Sequence, residues 1–403
     1  MDELSIYIHI PYCVRKCLYC DFLSFPLSEG AFTKTCGHAL SGSAQETISS
    51  YVNLLRRETE NSAAQYNKYQ VISIFFGGGT PSLLSTEEIG SILETLGRHY
   101  RVAADAEITI EMNPDTAQET KFREYITSGI NRLSIGLQSA DDDELVRIGR
   151  IHDYQTFMKA YESARRVGFT NINIDLMAAL PGQSISSYER TLGKVTALAP
   201  EHISAYSLTL EEGTPLYERR AKYCFPTEEE DREMYALTGE YLASCGYHRY
   251  EISNYALNGF ECRHNRVYWQ RGNYVGFGLG AASMVNNVRW SNPSDMEQYS
   301  AYVEHFAQNA NQDSGYVMNR HLLTVREQME EFMFLGLRMM RGVSVREFAD
   351  IFGTPMETVY GETTDKLCKQ GLLAQDAEHI RLTARGIDVS NYVMAQFLFD
   401  END

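Results

Sequence analysis

The chain has 403 residues, with 36 Lys or Arg against 54 Asp or Glu, a formal charge of −18. At 43% hydrophobic and 11% aromatic, with 29 Gly and only 10 Pro, it carries enough apolar surface for a large core, which excludes a disordered or collagen-like chain. The acidic balance repels phosphate backbones and the basic residues gather only as pairs, such as Arg56-Arg57 and Arg219-Arg220, so no nucleic acid is expected as a bulk partner.

At the start, Met1-Asp2-Glu3-Leu4 lacks the cationic region of a secretion signal, and no apolar run approaches the roughly eighteen residues that span a bilayer. A cytoplasmic chain with no integral membrane segment is expected. Short runs rich in Ile or Val then read as strands: Ile6 to Ile10, Val71 to Phe76, Glu107 to Glu111, Arg132 to Leu137, Asn171 to Leu176 and Ile203 to Leu210. Between them, Thr86 to His99, Thr120 to Ser128 and Tyr154 to Val167 show helical periodicity. Such alternation predicts parallel strands and an α/β fold, a partial (β/α)6 barrel whose loops at the carboxyl ends of the strands carry the chemistry.

Residues 26 to 50, with Ser28, Gly30, Gly37 and Ser41-Gly42-Ser43, read as a loop before a helix that reaches Thr59, and Cys36 lies in it without a spaced partner. Thr227-Glu228-Glu229-Glu230 reads as a capping box that opens a helix closing near Gly246. From Arg326 the pattern changes, with Met329, Phe332, Met333, Leu337 and Met340 on one helical face. The expected division is a core barrel over 1–225, a connecting region over 226–319, and a smaller, mainly helical, winged-helix-like domain over 320–403. That last part holds 9 Lys or Arg against 14 Asp or Glu, a balance of −5 that disfavours DNA.

The first sign of chemistry is in the cysteines. Eight are too few for a disulfide scaffold, yet Cys13, Cys17 and Cys20 form C-x3-C-x2-C directly after a strand. Thiolates suit zinc or an iron–sulfur cluster. Three ligands on a [4Fe–4S] cubane leave one iron open to chelate the amino and carboxylate groups of S-adenosylmethionine. The plainer readings are a zinc site completed by His9 or three unrelated thiols. Phe76-Gly77-Gly78-Gly79-Thr80-Pro81 follows the second strand, where backbone N–H groups form an anion nest or hold the methionine moiety, or simply make a tight turn. Glu111, Gln138 and Asp175 end successive strands and suit ribose hydroxyls and an ammonium, while Arg150 suits a carboxylate; each also suits a cap or a surface.

Tyr7-Ile8-His9-Ile10-Pro11, Gly77-Gly78-Gly79-Thr80-Pro81, Glu111-x-Asn113-Pro114, Gln138-Ser139 and Asp175-Leu176-Met177-x-x-Leu180-Pro181-Gly182 together resemble the oxygen-independent coproporphyrinogen III oxidase superfamily, a radical S-adenosylmethionine family, over nearly the whole chain. Within it the sequence is most similar to the heme chaperone branch. The oxidases carry C-x3-C-x2-C-x-C, whereas Phe22 stands two positions after Cys20, and only twelve residues precede Cys13 where the oxidases have a long covering segment. His264-Asn265-Arg266-Val267-Tyr268-Trp269 is similar to the H-N-x-x-Y-W motif associated with heme binding in the chaperones. An imidazole ligates heme iron and aromatics stack on the ring; alternatively His264 is a core histidine. Cys262 is a thiolate neighbour of that site or an ordinary buried cysteine.

The resemblance implies that Cys13, Cys17 and Cys20 bind the cluster, with S-adenosylmethionine on the fourth iron. Tyr19 then meets the adenine through its backbone, and Gly78, Gly79 and Thr80 hold the methionine end. Tyr7, Glu111, Gln138, Arg150 and Asp175 line the rest, and His264 meets the heme. It implies a chaperone that binds heme and passes it to an unidentified apo-protein. The alternative is an oxidase that abstracts hydrogen from a porphyrinogen propionate and releases carbon dioxide; some other radical enzyme is the third. The stretch from Leu27 to Ala44 reads as an insertion relative to the family.

Overall fold

The apolar runs form six strands that lie side by side in chain order, all parallel: β1 (Glu3–Ile10), β2 (Gln70–Gly78), β3 (Arg101–Met112), β4 (Arg132–Gln138), β5 (Ile172–Ala178) and β6 (His202–Ser207). The computed structural model describes residues 2–27, 44–308 and 317–399. Cys36 and nearly all of the insertion expected from Leu27 to Ala44 lie outside these residues. The parallel strands are buried along most of their length, because crossover helices cover the outside: α1 (Ala44–Tyr66), α2 (Thr86–His99), α3 (Glu119–Thr127), α4 (Asp142–Arg147), α5 (Tyr154–Val167) and α6 (Ile185–Thr196).

Local sequence sets the helix ends. Ser85 and Glu88 close a reciprocal capping box on α2, and α5 runs from an Asp153 cap to Gly168, whose φ of 111° suits glycine. Helix α1 corrects the sequence expectation in both directions. It begins by Ala44 and continues to Tyr66, since Ile48, Tyr51, Val52, Leu55, Ala63 and Tyr66 bury one face against the sheet.

After β6 come α7 (Glu228–Ser244), opened by the Thr227–Glu230 capping box, then β7 (His248–Glu251), β8 (Asn254–Ala256) and α8 (Arg263–Trp269). Next are β9 (Tyr274–Phe277), β10 (Ala282–Val285), β11 (Val288–Ser291), α9 (Met296–Gln308) and β12 (Met318–Leu322). These strands extend both edges into one 12-stranded sheet, ordered β12-β11-β10-β9-β1-β2-β3-β4-β5-β6-β8-β7. The barrel is therefore open, and β9 runs parallel to β1.

The C-terminal part packs α10 (Val325–Gly336) with β13 (Val343–Ser344), α11 (Val345–Phe352), α12 (Met356–Lys369), β14 (Leu373–Gln375) and β15 (His379–Leu382). Its own core centres on Met333, Leu337, Phe348, Leu367 and Phe397, and its three strands pair antiparallel in the order β13-β15-β14. Main chain joins it to the barrel. Met340 N–H donates to the Tyr250 carbonyl at 3.0 Å and Ile252 N–H to that of Arg338 at 3.1 Å.

Candidate functional site

Past the carboxyl end of β1, Tyr12 and Cys13 pair with Phe25 and Pro26, closing a loop that carries Cys17 and Cys20. Leu18 ties this loop down from both sides: its N–H donates to the Ile148 carbonyl at 3.1 Å and its carbonyl accepts from Leu216 N–H at 2.8 Å. Gly149 makes the approach possible, for a Cβ there would fall 2.8 Å from Leu18 Cγ. Cys13 is buried, and Cys17 and Cys20 are half-buried. Burial pushes the Cys13 thiol up while the Thr80 hydroxyl, donating to its sulfur at 3.5 Å, pulls it back.

The glycine run follows β2 over the same loop. Gly79 N–H donates to the Ile10 carbonyl at 2.8 Å, Thr80 N–H to that of Tyr12 at 2.7 Å, and Gly78 N–H to Glu111 Oε2 at 3.2 Å. The expected anion nest is therefore not formed by these three donors, which are spent inside the protein. Glycine instead supplies clearance: a Cβ on Gly79 would stand 2.6 Å from the Tyr12 carbonyl oxygen.

The strand-end residues converge over this floor. Arg150 Nη2 donates to the Gly136 carbonyl and to Asn113 Oδ1, both at 2.7 Å, and Nη1 reaches Cys17 Sγ at 3.5 Å. Asn113 passes the link on to Thr80 Oγ1 at 3.0 Å. Burial and the neighbouring Asp175 push Glu111 up to about 8. Asp175 is also raised by burial, against hydrogen bonds from Asn173 at 2.7 Å and Ser134 at 3.2 Å. Gln138 holds a left-handed φ of 72°, a conformation a non-glycine residue keeps only under constraint. Tyr19 packs on Ile148, Met177 and Leu180. Tyr7 faces Glu111 and gives its hydroxyl to His9 Nδ1 at 3.1 Å. His9 Nε2 meets the Leu23 carbonyl at 2.8 Å, so neither nitrogen is left to complete a zinc site.

The sixth strand is followed, some sixty residues on, by α8, which plugs the other end of the barrel. Its first residue, Arg263, pairs with Asp105 early in β3, and His264 N–H donates to Glu107 at 3.2 Å. The His264 ring is buried, with Nδ1 at 2.9 Å from Ser73 Oγ, Nε2 at 2.9 Å from Tyr268 Oη, and Phe75 stacked on it at 5.0 Å. Burial, then Arg132, lowers it to about 3, so it is neutral. Both ring nitrogens are engaged, and in this arrangement none is free for iron. Cys262 is a buried thiol at 3.5 Å from Glu107, pushed up to about 12 by burial. Trp269 points the other way, toward the C-terminal domain, under the Arg338 guanidinium at 4.2 Å.

Family profiles described as the Radical SAM superfamily and the HemN C-terminal domain match residues 7–195 and 323–389. The heme chaperone HemW of Bacillus subtilis (strain 168) is 34% identical over 98% of this chain and 99% of its own. That of Escherichia coli (strain K12) is 34% identical over 99% of each. The chain belongs to the heme chaperone HemW family. Coproporphyrinogen III oxidase (HemN) from Escherichia coli shares the fold, with a TM-score of 0.81 at 22% identity over 98% of this chain and 90% of that one.

For a HemW-family chain, the radical SAM superfamily implies a [4Fe–4S] cluster and S-adenosylmethionine. The donor set here fits them: three thiols on one short loop, backed by Arg150 and the Thr80 hydroxyl, beside a pocket of carboxylates and amides. Among the described residues no three His, Cys, Asp or Glu side chains gather around a single ion, and a four-iron cluster asks instead for one thiolate on each of three irons. No helix among the described residues is long and apolar enough to cross a membrane. Sequence reasoning missed Asn113 as a site residue, although its motif was visible, and missed Ser134 and Asn173 altogether, since only strand register brings them to Asp175.

Proposed function

We propose that this chain binds heme and hands it to an accepting apo-protein, while the cysteine loop holds a [4Fe–4S] cluster with exchangeable S-adenosylmethionine. The observation that carries the reading is likeness along the full chain to proteins named heme chaperones, at 34% identity. Phe22 supports it: where the resembling oxidases carry a fourth cysteine, this chain presents a ring that is 67% exposed.

When bound, the cluster and S-adenosylmethionine supply one-electron reduction at a sulfonium. The chain's own residues bind and orient. Cys13, Cys17 and Cys20 ligate, and the guanidinium of Arg150 offsets thiolate charge. Glu111 and Asp175 accept from ribose hydroxyls and the ammonium, and Glu111, partly protonated near neutral pH, also donates. Gly78, Gly79 and Thr80 border the methionine end, Tyr7 and Gln138 close the walls, and the backbone at Tyr19 meets the adenine.

The test is an anaerobic hemin titration of cluster-reconstituted protein, followed by an assay with coproporphyrinogen III on the same sample. Saturable binding near one heme per chain without decarboxylation is the expected result. Turnover at catalytic rates would overturn the proposal in favour of an oxidase.

A further inference from the structure

Behind α8, at the amino ends of the strands, a cavity of about 510 Å³ lies between the barrel and the C-terminal domain. That volume is within the range of small-ligand sites. Main chain fixes its shape, because Met340 N–H donates to the Tyr250 carbonyl and Glu251 pairs with Met339 across the seam. On one side stands Trp269, the last residue of α8; opposite are Phe332, Met339 and Met340.

The lining is cationic in a chain whose formal charge is −18. It holds the side chains of Arg266, Arg271 and Arg341 against Glu261 and Glu347. Two of these arginines are already matched, Arg266 by Glu261 and Arg271 by Glu331. Arg249 turns its guanidinium out of the cavity, onto the Tyr235 and Tyr255 rings, while among the described residues no carboxylate pairs with Arg341, whose Nε donates to His379 Nε2 at 3.0 Å. Arg341 is held in place by the turn at Gly342, where a Cβ would strike the Ile380 carbonyl oxygen at 2.0 Å.

Two donors in this wall, Trp269 Nε1 and Arg266 Nε, are buried without an acceptor. Buried donors are rarely left so unless something else satisfies them. Met339 and Met340 add thioethers, side chains that ligate heme iron, whereas His248 Nε2 is held by Glu261 and His379 Nε2 by Arg341, each at 3.0 Å. A flat apolar wall, an unpaired guanidinium and thioethers that can ligate iron together describe the complement of a metalloporphyrin carrying carboxylates.

We propose that this seam cavity, at the opposite end of the barrel from the cysteines, seats the tetrapyrrole, with the macrocycle against Trp269, Phe332 and Met339 and a carboxylate on Arg341. The inference rests on the heme-binding reading above and locates it on the outer face of the motif helix rather than in the barrel mouth.

The test is a hemin titration of the full chain, wild type and Arg341→Glu, repeated with hemin dimethyl ester, in which both carboxylates are masked. Arg341 is exposed, so its replacement leaves the fold and the cluster chromophore as they are. The wild type should prefer hemin to the ester about tenfold, and Arg341→Glu should lose that preference by weakening hemin alone, the non-additivity of two groups in contact. Saturating S-adenosylmethionine on cluster-loaded protein should leave hemin affinity unchanged. Equal hemin affinity in wild type and Arg341→Glu, or displacement of hemin by S-adenosylmethionine, overturns the seam location while leaving heme binding itself intact. Absence of saturable hemin binding in the wild type overturns the functional reading and the seat with it.

Discussion

Arg150 and Cys17 meet across the candidate pocket, Nη1 to Sγ at 3.5 Å, while the other guanidinium nitrogen is anchored on Gly136 and Asn113 at 2.7 Å each. One side chain thus joins the cluster loop, the end of β4 and, through Asn113, the glycine run. Burial works against its charge, yet Tyr19 and Cys17 raise its pKa all the same. Only a planar fork reaches these three partners at once. Arg150→Ala should retain four irons per chain while S-adenosylmethionine affinity falls at least about tenfold, and Arg150→Lys should not restore it. Iron analysis with equilibrium binding checks this; an affinity unchanged in Arg150→Ala removes Arg150 from the pocket.

Gly79 tests the clearance argument. A methyl group there meets backbone rather than a side chain, 2.6 Å from the Tyr12 carbonyl oxygen and 2.9 Å from that of Ile10, so nothing nearby can yield cheaply. Gly79→Ala should cost about 1–3 kcal/mol in denaturant unfolding and loosen the loop that carries Cys13. Gly97→Ala, in α2 with nothing within 4 Å, should instead be neutral or stabilising.

The parts of the fold that follow from local pattern were legible. Thr86 to His99 and Tyr154 to Val167 form helices over those residues because caps and apolar spacing agree. The edges of the sheet were not, since β7 to β11 are only three or four residues each and are paired by distant partners such as β1. The strand-end carboxylates could be named from alternation alone, yet Asn113 gains its role only when β3 and the residues after α4 come together. The motif helix was legible as a hexapeptide, but not the fact that its two ends face different compartments, His264 the barrel core and Trp269 the seam.

Glu58 should make stability depend on pH. It is buried in α1, accepting from Gly278 N–H at 2.8 Å, Asn292 Nδ2 and Tyr299 Oη at 2.7 Å each, and burial pushes it up from 4.5 to about 7. A carboxyl raised in the folded state binds protons there that the unfolded chain has released. Its contribution is therefore full below about 4.5 and is lost as pH rises through about 7, a swing of at most about 3 kcal/mol. Glu58→Gln places an amide among three donors and should lower stability at pH 5, with the gap to wild type narrowing by pH 8.5. Chemical denaturation at both pH values reads it; a gap constant with pH means that Glu58 does not titrate in this window.

His264 separates two places for the heme. Its ring fills the barrel core between Phe75 and Tyr268, and His264→Ala leaves a cavity together with the hydroxyls of Ser73 and Tyr268 deprived of their partner. Stability should fall by about 2–4 kcal/mol. If the tetrapyrrole sits in the seam, hemin affinity of the folded fraction should change by no more than about twofold, because Trp269 and Arg341 do not depend on the imidazole for charge or surface. Iron bound to His264 would require the bond to Ser73 or to Tyr268 to break, and the pattern then reverses: hemin affinity collapses in His264→Ala and survives in Arg341→Glu. Thermal unfolding and hemin titration on the same two variants decide between these arrangements, since each variant is expected to move only one of the two measurements.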